Sequence, residues 1–212
     1  MIIPLSALDG SQIAVAGGKG ASLGELIRAG APAPPGFVVS SSVFNATVHA
    51  DEHRPVLDDV LRRLDAGQLT PHAAADEIAT HLHHVRVPDE VAQLIETELQ
   101  TQNLTRVSVR SSATCEDSST SAWAGQLETY LDVPPEHVVA RVRDCWMSMF
   151  SPAALAYGAA HGYGAGEFAV AVVVQQMVAS DVSGIGFSVH PVTQEPNILL
   201  IEACFGLGEA IV

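Results

Sequence analysis

Gly17-Gly18-Lys19-Gly20-Ala21-Ser22-Leu23-Gly24-Glu25-Leu26 is the stretch on which the fold class turns. Gly17 to Gly20 reads as a turn, after a short extended lead-in over residues 1–16 that carries Ile2, Ile3, Leu5 and Leu8. Leu23, Leu26 and Ile27 then keep helical spacing, and Gly30 with Pro32 beyond it makes a natural helix stop. Pro34-Pro35-Gly36 is a rigid turn into Phe37-Val38-Val39, whose unbroken apolar run predicts a buried strand. A glycine turn, a helix and a buried strand thus follow one another within 40 residues.

Lys19 is the only lysine in the chain, against nine arginines. A compact, flexible ammonium inside a glycine turn suits a phosphate oxygen; the alternative reading is a chance surface lysine in a turn. The common nucleotide loops do not account for it. A Walker A loop ending at Gly18-Lys19 needs glycine at 13 and Ser or Thr at 20, where the chain has Ile13 and Gly20. Dinucleotide fingerprints starting at Gly18, Gly162 or Gly206 fail at Leu23, Glu167 and Ile211.

Outward from this stretch, residues 40–102 are helical in pattern. Ser40 to Ser42 offer an N-cap, Val56, Val60, Leu61 and Leu64 mark a second helix, Pro71 opens a third and Pro88-Asp89-Glu90 a fourth. After 104 the texture turns to strands, with a possible change of subdomain there. Val107 and Val109 alternate with Ser108 and Arg110, and 122–133 reads as extended. Helices are predicted from Pro134-Pro135-Glu136 and from Pro152, then strands over 168–178, 183–189 and 197–203, and a helix or turn at Gly206. The expectation is an α+β chain, a helical layer on mixed sheets.

Composition narrows the function. With 48% apolar residues the 212-residue chain can fill a core. Its longest apolar run, Phe168 to Val174, is seven residues, against roughly 20 for a spanning helix. No membrane and no signal peptide are expected, and the setting is read as cytoplasmic. A net charge of −14 disfavours nucleic acid. Cys115, Cys145 and Cys204 are odd in number and widely spaced, which argues against disulfides and a zinc site. His81-Leu82-His83-His84 stands at the end of an amphipathic helix with no partner cysteine, so we read it as a helix C-terminus rather than a metal site.

A second candidate is Val109-Arg110-Ser111-Ser112-Ala113-Thr114-Cys115-Glu116-Asp117, an arginine on a strand followed by a hydroxyl-rich loop. A planar guanidinium with hydroxyls and loop N–H groups can cage a phosphate. Equally, Arg110 can pair with Glu116 or Asp117. Ala124-Gly125-Gln126 with Thr129 reads as a covering loop or as a hairpin turn, and Gln175 as an adenine-reading amide or a satisfied core residue.

Together these residues resemble the dikinase ATP-binding domain of phosphoenolpyruvate synthase, pyruvate phosphate dikinase and rifampin phosphotransferase. Residues 17–26 with Pro35-Gly36-Phe37 are similar to its opening. Residues 109–117, Ala124-Gly125-Gln126 and Thr129-Tyr130-Leu131 are similar to its second signature. Gly184 to Phe187, His190-Pro191-Val192-Thr193 and Phe205 to Ala210 are similar to its third. The resemblance implies a partial ATP-grasp-like fold over 1–212, with ATP as ligand. Lys19 and Arg110 would hold its phosphates and offset their charge, Gly125 and Thr129 would belong to a covering loop, and Gln175 would face adenine. It also implies Mg²⁺, with ligands expected beyond Val212, and a phosphohistidine domain and an acceptor domain as partners. The implied reaction passes the β-phosphoryl of ATP through that histidine to an acceptor, releasing AMP and phosphate. The acceptor is read as a rifamycin-type antibiotic hydroxyl, hence antibiotic resistance. Pyruvate is the alternative, and a non-catalytic nucleotide-binding module a third reading.

Overall fold

A computed structural model describes residues 1–114, 127–161 and 169–211. By its internal contacts the chain divides into two compact units, Met1–Met177 and Val178–Val212. Position 104 lies inside the first.

The first unit is built on five strands: β1 (Ile2–Pro4), β2 (Gly36–Val39), β3 (Val107–Ala113), β4 (Thr129–Val133) and β5 (Val170–Gln176). Their order is β1-β2-β5-β3-β4, and every neighbouring pair is antiparallel. The expected mixed sheet is therefore corrected to an antiparallel one. Strands far apart in sequence meet here, so direction is set by long-range pairing that no local pattern reports. β5 sits at the centre, which is why Val170 to Val174 is an unbroken apolar run, buried throughout.

The two faces of this sheet differ. On one, Ala171 and Val173 of β5 and Val38 of β2 pack with Leu5, Leu8 and Ala16 beneath α1 (Ile13–Arg28). On the other, Val107, Val109, Val172 and Val174 join the main core with Phe37, Phe44 and Trp146. That core is closed by α2 (Ser41–Val48), α3 (Arg54–Asp65), α4 (Pro71–Leu82), α5 (Asp89–Thr101), α6 (Pro135–Ser148) and α7 (Pro152–His161). Phe44 stands edge-on to Trp146 at 6.3 Å and to His49 at 5.1 Å. Burial is the main cause holding the pKa of His49 below its usual value, with the Arg54 charge adding and Asp58 opposing.

Local rules explain most helix starts. Pro71, Pro135 and Pro152 each occupy a first helical position, where their missing N–H costs nothing. Thr70 caps α4 by accepting a hydrogen bond from the Ala73 N–H. α1 departs from expectation, because it begins at Ile13 inside the supposed extended lead-in and runs through the supposed turn. Only Gly17 leaves helical geometry, with φ +68°, so α1 is two helical pieces joined at that residue.

The second unit is an antiparallel hairpin of β6 (Val182–Phe187) and β7 (Leu200–Phe205), followed by a short 3₁₀ turn at Gly208–Ala210. Its register sets Val182 opposite Phe205, Gly184 opposite Ala203 and Gly186 opposite Ile201. One face is thus apolar from end to end, with Phe205 93% and Ile201 68% exposed. No helix among the described residues is long and apolar enough to cross a membrane.

Candidate functional site

The kink of α1 is pressed against β3. A Cβ added at Gly17 would fall 2.2 Å from both the carbonyl oxygen and Oγ of Ser112, so only glycine allows the approach. One residue past Lys19, the Gly20 N–H donates to Ser112 Oγ at 3.3 Å. Gly24 lies nearly as close to Leu8, where a Cβ would fall 2.5 Å from the Leu8 Cβ. The glycines of the opening stretch are therefore contact points that seat the second piece of α1 against β3 and the Leu5–Leu8 segment. Lys19, partly exposed, is in the first turn of that piece, where the helix dipole favours an anion.

Arg110 is the one partly exposed residue of β3; its six strand neighbours are buried. It pairs with Val173 on β5 and with Thr129 on β4. Residues directly opposite in register share a face, and Val173 lies on the α1 face. Arg110, Ser112 and Thr129 accordingly belong to the side of the sheet that α1 covers. Among the described residues the Arg110 guanidinium makes no hydrogen bond or ion pair. Glu116 and Asp117, its alternative partners, lie outside those residues, as does Gly125.

Gln175 is also on this face, opposite Ser108 and Gly36, and is buried. Its Nε2 donates to the Pro34 carbonyl oxygen at 3.0 Å. That bond ties β5 to the Pro34-Pro35-Gly36 turn. Thr129 is exposed at the head of β4. Beside it, Ser111 fastens the approach to β4 through its N–H and its hydroxyl, both donating to the Glu128 carbonyl oxygen at 3.1 and 3.0 Å. The arrangement brings Lys19 and Arg110, 91 positions apart by number, to one face of the sheet through a single serine. Sequence reasoning missed Ser112 as that anchor, though its place two residues after Arg110 on the same strand face was the available signal.

Chemically this face offers positive charge and backbone N–H groups and, among the described residues, no activated nucleophile. Cys145, on the far side of β3, has its thiol pushed up to about 12, chiefly by burial, and stays protonated. For Mg²⁺ the donor set does not fit: no three His, Cys, Asp or Glu side chains among the described residues converge to hold a metal ion.

The sequence matches the family model described as pyruvate phosphate dikinase, AMP/ATP-binding domain, over residues 13–212. It is 37% identical over 97% of its length to a probable phosphoenolpyruvate synthase of Methanothermobacter thermautotrophicus, covering 31% of that protein. It is 39% identical over 100% of its length to the probable phosphoenolpyruvate synthase of Archaeoglobus fulgidus, covering 29% of it. A rifampicin phosphotransferase of Streptomyces sviceus is 38% identical over 100% of the chain, which covers 25% of that protein. The chain thus spans less than a third of the length of these curated relatives. With nearly all of its residues inside the match, this chain belongs to the pyruvate phosphate dikinase AMP/ATP-binding domain family.

Proposed function

We propose that this chain binds ATP on the α1 face of its sheet and works as the nucleotide-holding part of a dikinase-type phosphotransferase. The observation that carries the reading is the seat of Gly17 and Gly20 on Ser112, which puts Lys19 and Arg110 on the same face. Lys19 takes phosphate oxygens as a mobile point charge and Arg110 as a planar fork. Thr129 and Gly125 belong to the segment that covers the phosphates, and Gln175 stands on the adenine side. The protein's part in the chemistry is to orient the triphosphate and to offset the charge that shifts as the phosphoryl group leaves. Mg²⁺ would add charge neutralisation, with no ligand set for it among the described residues.

The β-phosphoryl group passes to a histidine of a separate domain and from there to an acceptor, with release of AMP and phosphate. We read the acceptor as a rifamycin-type hydroxyl. Pyruvate is the second reading, supported by phosphoenolpyruvate synthase relatives of the same identity range. The test is to incubate the chain with ATP, Mg²⁺ and the phosphohistidine domain of such a relative, and to assay AMP and acid-labile protein phosphate. Their joint appearance supports the enzyme reading; ATP binding without AMP leaves a nucleotide-binding module.

A further inference from the structure

β4 carries two core residues at a spacing that a regular strand does not allow. Val133, opposite Val107, and Tyr130, opposite Val109, both pack in or against the main core, although they are three positions apart. Side chains alternate between the two faces of a strand, so residues an odd number apart point to opposite sides. The conflict is resolved by a shift of register between Val107 and Val109. Asp132 is the extra residue, and its φ of +54° puts it in the left-handed region. That is a β-bulge of the kind in which glycine usually holds the left-handed place, and aspartate is among the few other residues that tolerate it.

Arg106, just before β3, meets the bulge from across the strands. Its Nε donates to Asp132 Oδ1 at 2.6 Å and its Nη2 to Oδ2. Beyond the bulge the shifted register runs on, so Arg110 stands opposite Thr129. The Ser111 N–H donates to the Glu128 carbonyl oxygen, the bond that flanks a non-hydrogen-bonded pair, in which facing side chains come closest. Pairing carried on from Val107 and Val133 without the shift would set Tyr130 opposite Arg110 and Thr129 opposite Ser111. A phenol ring would then stand beside the guanidinium on the α1 face, and the Thr129 hydroxyl would turn to the main core. The bulge instead keeps Tyr130 on the core side, where the Arg141 guanidinium lies 4.6 Å from its ring centre.

Resting on the reading of the α1 face as the phosphate side, we propose that Asp132 is a positioning residue for that face: its bulge sets the register that turns Thr129, rather than Tyr130, toward Arg110. Asp132 stands three positions from Thr129 and acts through the strand, not by contact with a ligand. Both members of its pair with Arg106 are well exposed, so their charges add little. The left-handed backbone at 132 carries the effect. A residue that accepts this conformation keeps the register, and a β-branched residue opposes it.

The test compares Asp132→Gly, which keeps the left-handed conformation and loses the carboxylate, with Asp132→Val, which opposes that conformation. Two quantities are read on the whole chain: the Hα–Hα nuclear Overhauser contact between Arg110 and Thr129, and ATP affinity by calorimetry. The glycine variant should keep the contact and bind ATP within about threefold of the parent. The valine variant should lose it, gain one between Arg110 and Tyr130, and bind about tenfold or more weakly, as misplaced positioning groups do. Asp132→Ala, a milder penalty, is read in the same way should the valine variant not fold. An Arg110–Thr129 contact that persists in the folded valine or alanine variant overturns the proposal, as does its loss with ATP affinity unchanged. A parent chain that binds no ATP overturns the nucleotide reading instead, and the proton contacts then decide the register claim by themselves.

Discussion

Gly17 is in direct contact with Ser112, at a φ of +68° and with no room for a single added carbon. One contact therefore carries two constraints, a backbone conformation that L side chains rarely adopt and a close approach of α1 to β3. Both act within two residues of Lys19 and of Arg110. Site geometry and fold stability are linked there.

Gly17→Ala should therefore cost stability and binding together. At φ +68° and ψ 171° the backbone lies in a region held almost solely by glycine, which costs another residue about 1–3 kcal/mol, and the clash with Ser112 adds about 1–3 kcal/mol. Thermal unfolding should show a clear drop in Tm, and nucleotide affinity should fall with it. A variant with unchanged Tm would show that α1 can leave β3 freely.

Ser112→Ala tests the anchor more gently. It removes the hydroxyl that accepts from the Gly20 N–H and leaves the backbone contact with Gly17 in place. The expected loss is about 1 kcal/mol in chemical denaturation. A loss above about 3 kcal/mol would mean that the hydroxyl has a larger role in the core than this one bond.

Stability should also depend on pH through His49. Its folded pKa lies below the unfolded value of about 6.5, so the unfolded chain binds the proton more readily. The stability that neutral His49 contributes is present above about pH 6.5 and is lost as pH falls from there toward the folded pKa. His49→Gln should narrow the difference in Tm between pH 7.5 and pH 5.5. An unchanged difference would assign the acid sensitivity to other histidines.

Trp146 is fully buried, and its indole Nε1 has no hydrogen-bond partner among the described residues. Trp146→Phe removes that unpaired N–H along with some volume, whereas Trp146→Ala leaves a cavity and should cost about 3–5 kcal/mol. Denaturant midpoints should place the phenylalanine variant well nearer the parent than the alanine one. Equal losses would mean that shape alone governs the site.

The parts of this fold that could be read from sequence are those with local causes. Pro71, Pro135 and Pro152 announced their helices because a proline at a helix start is a matter of one residue's own geometry. β5 was legible from its apolar run, and β6 and β7 to within three residues at their ends. The start of α1 was not, because Ala14, Ala16, Gly17 and Gly18 lack amphipathic spacing and two of them are poor helix formers. Packing against β5 and β3 overrides that propensity. Strand direction and the meeting of Gly20 with Ser112, 92 residues away, are long-range facts of the same kind. So is the approach of His53 to His81, which no spacing within residues 81–84 discloses. Lys19 and Arg110 stood out as candidates through residue type and the family resemblance; their common face comes from the register of β3 with β5.

The most direct test of the central claim is calorimetric titration of the chain with ATP, with and without Mg²⁺, beside Lys19→Ala and Arg110→Met. Substitutions at such partly exposed positions usually change stability by no more than about 0.5 kcal/mol, so both variants should fold. The account predicts saturable binding by the parent and a loss of tenfold or more in each variant at unchanged Tm. Binding that both folded variants retain would contradict it, because the α1 face would then not be where the phosphates sit.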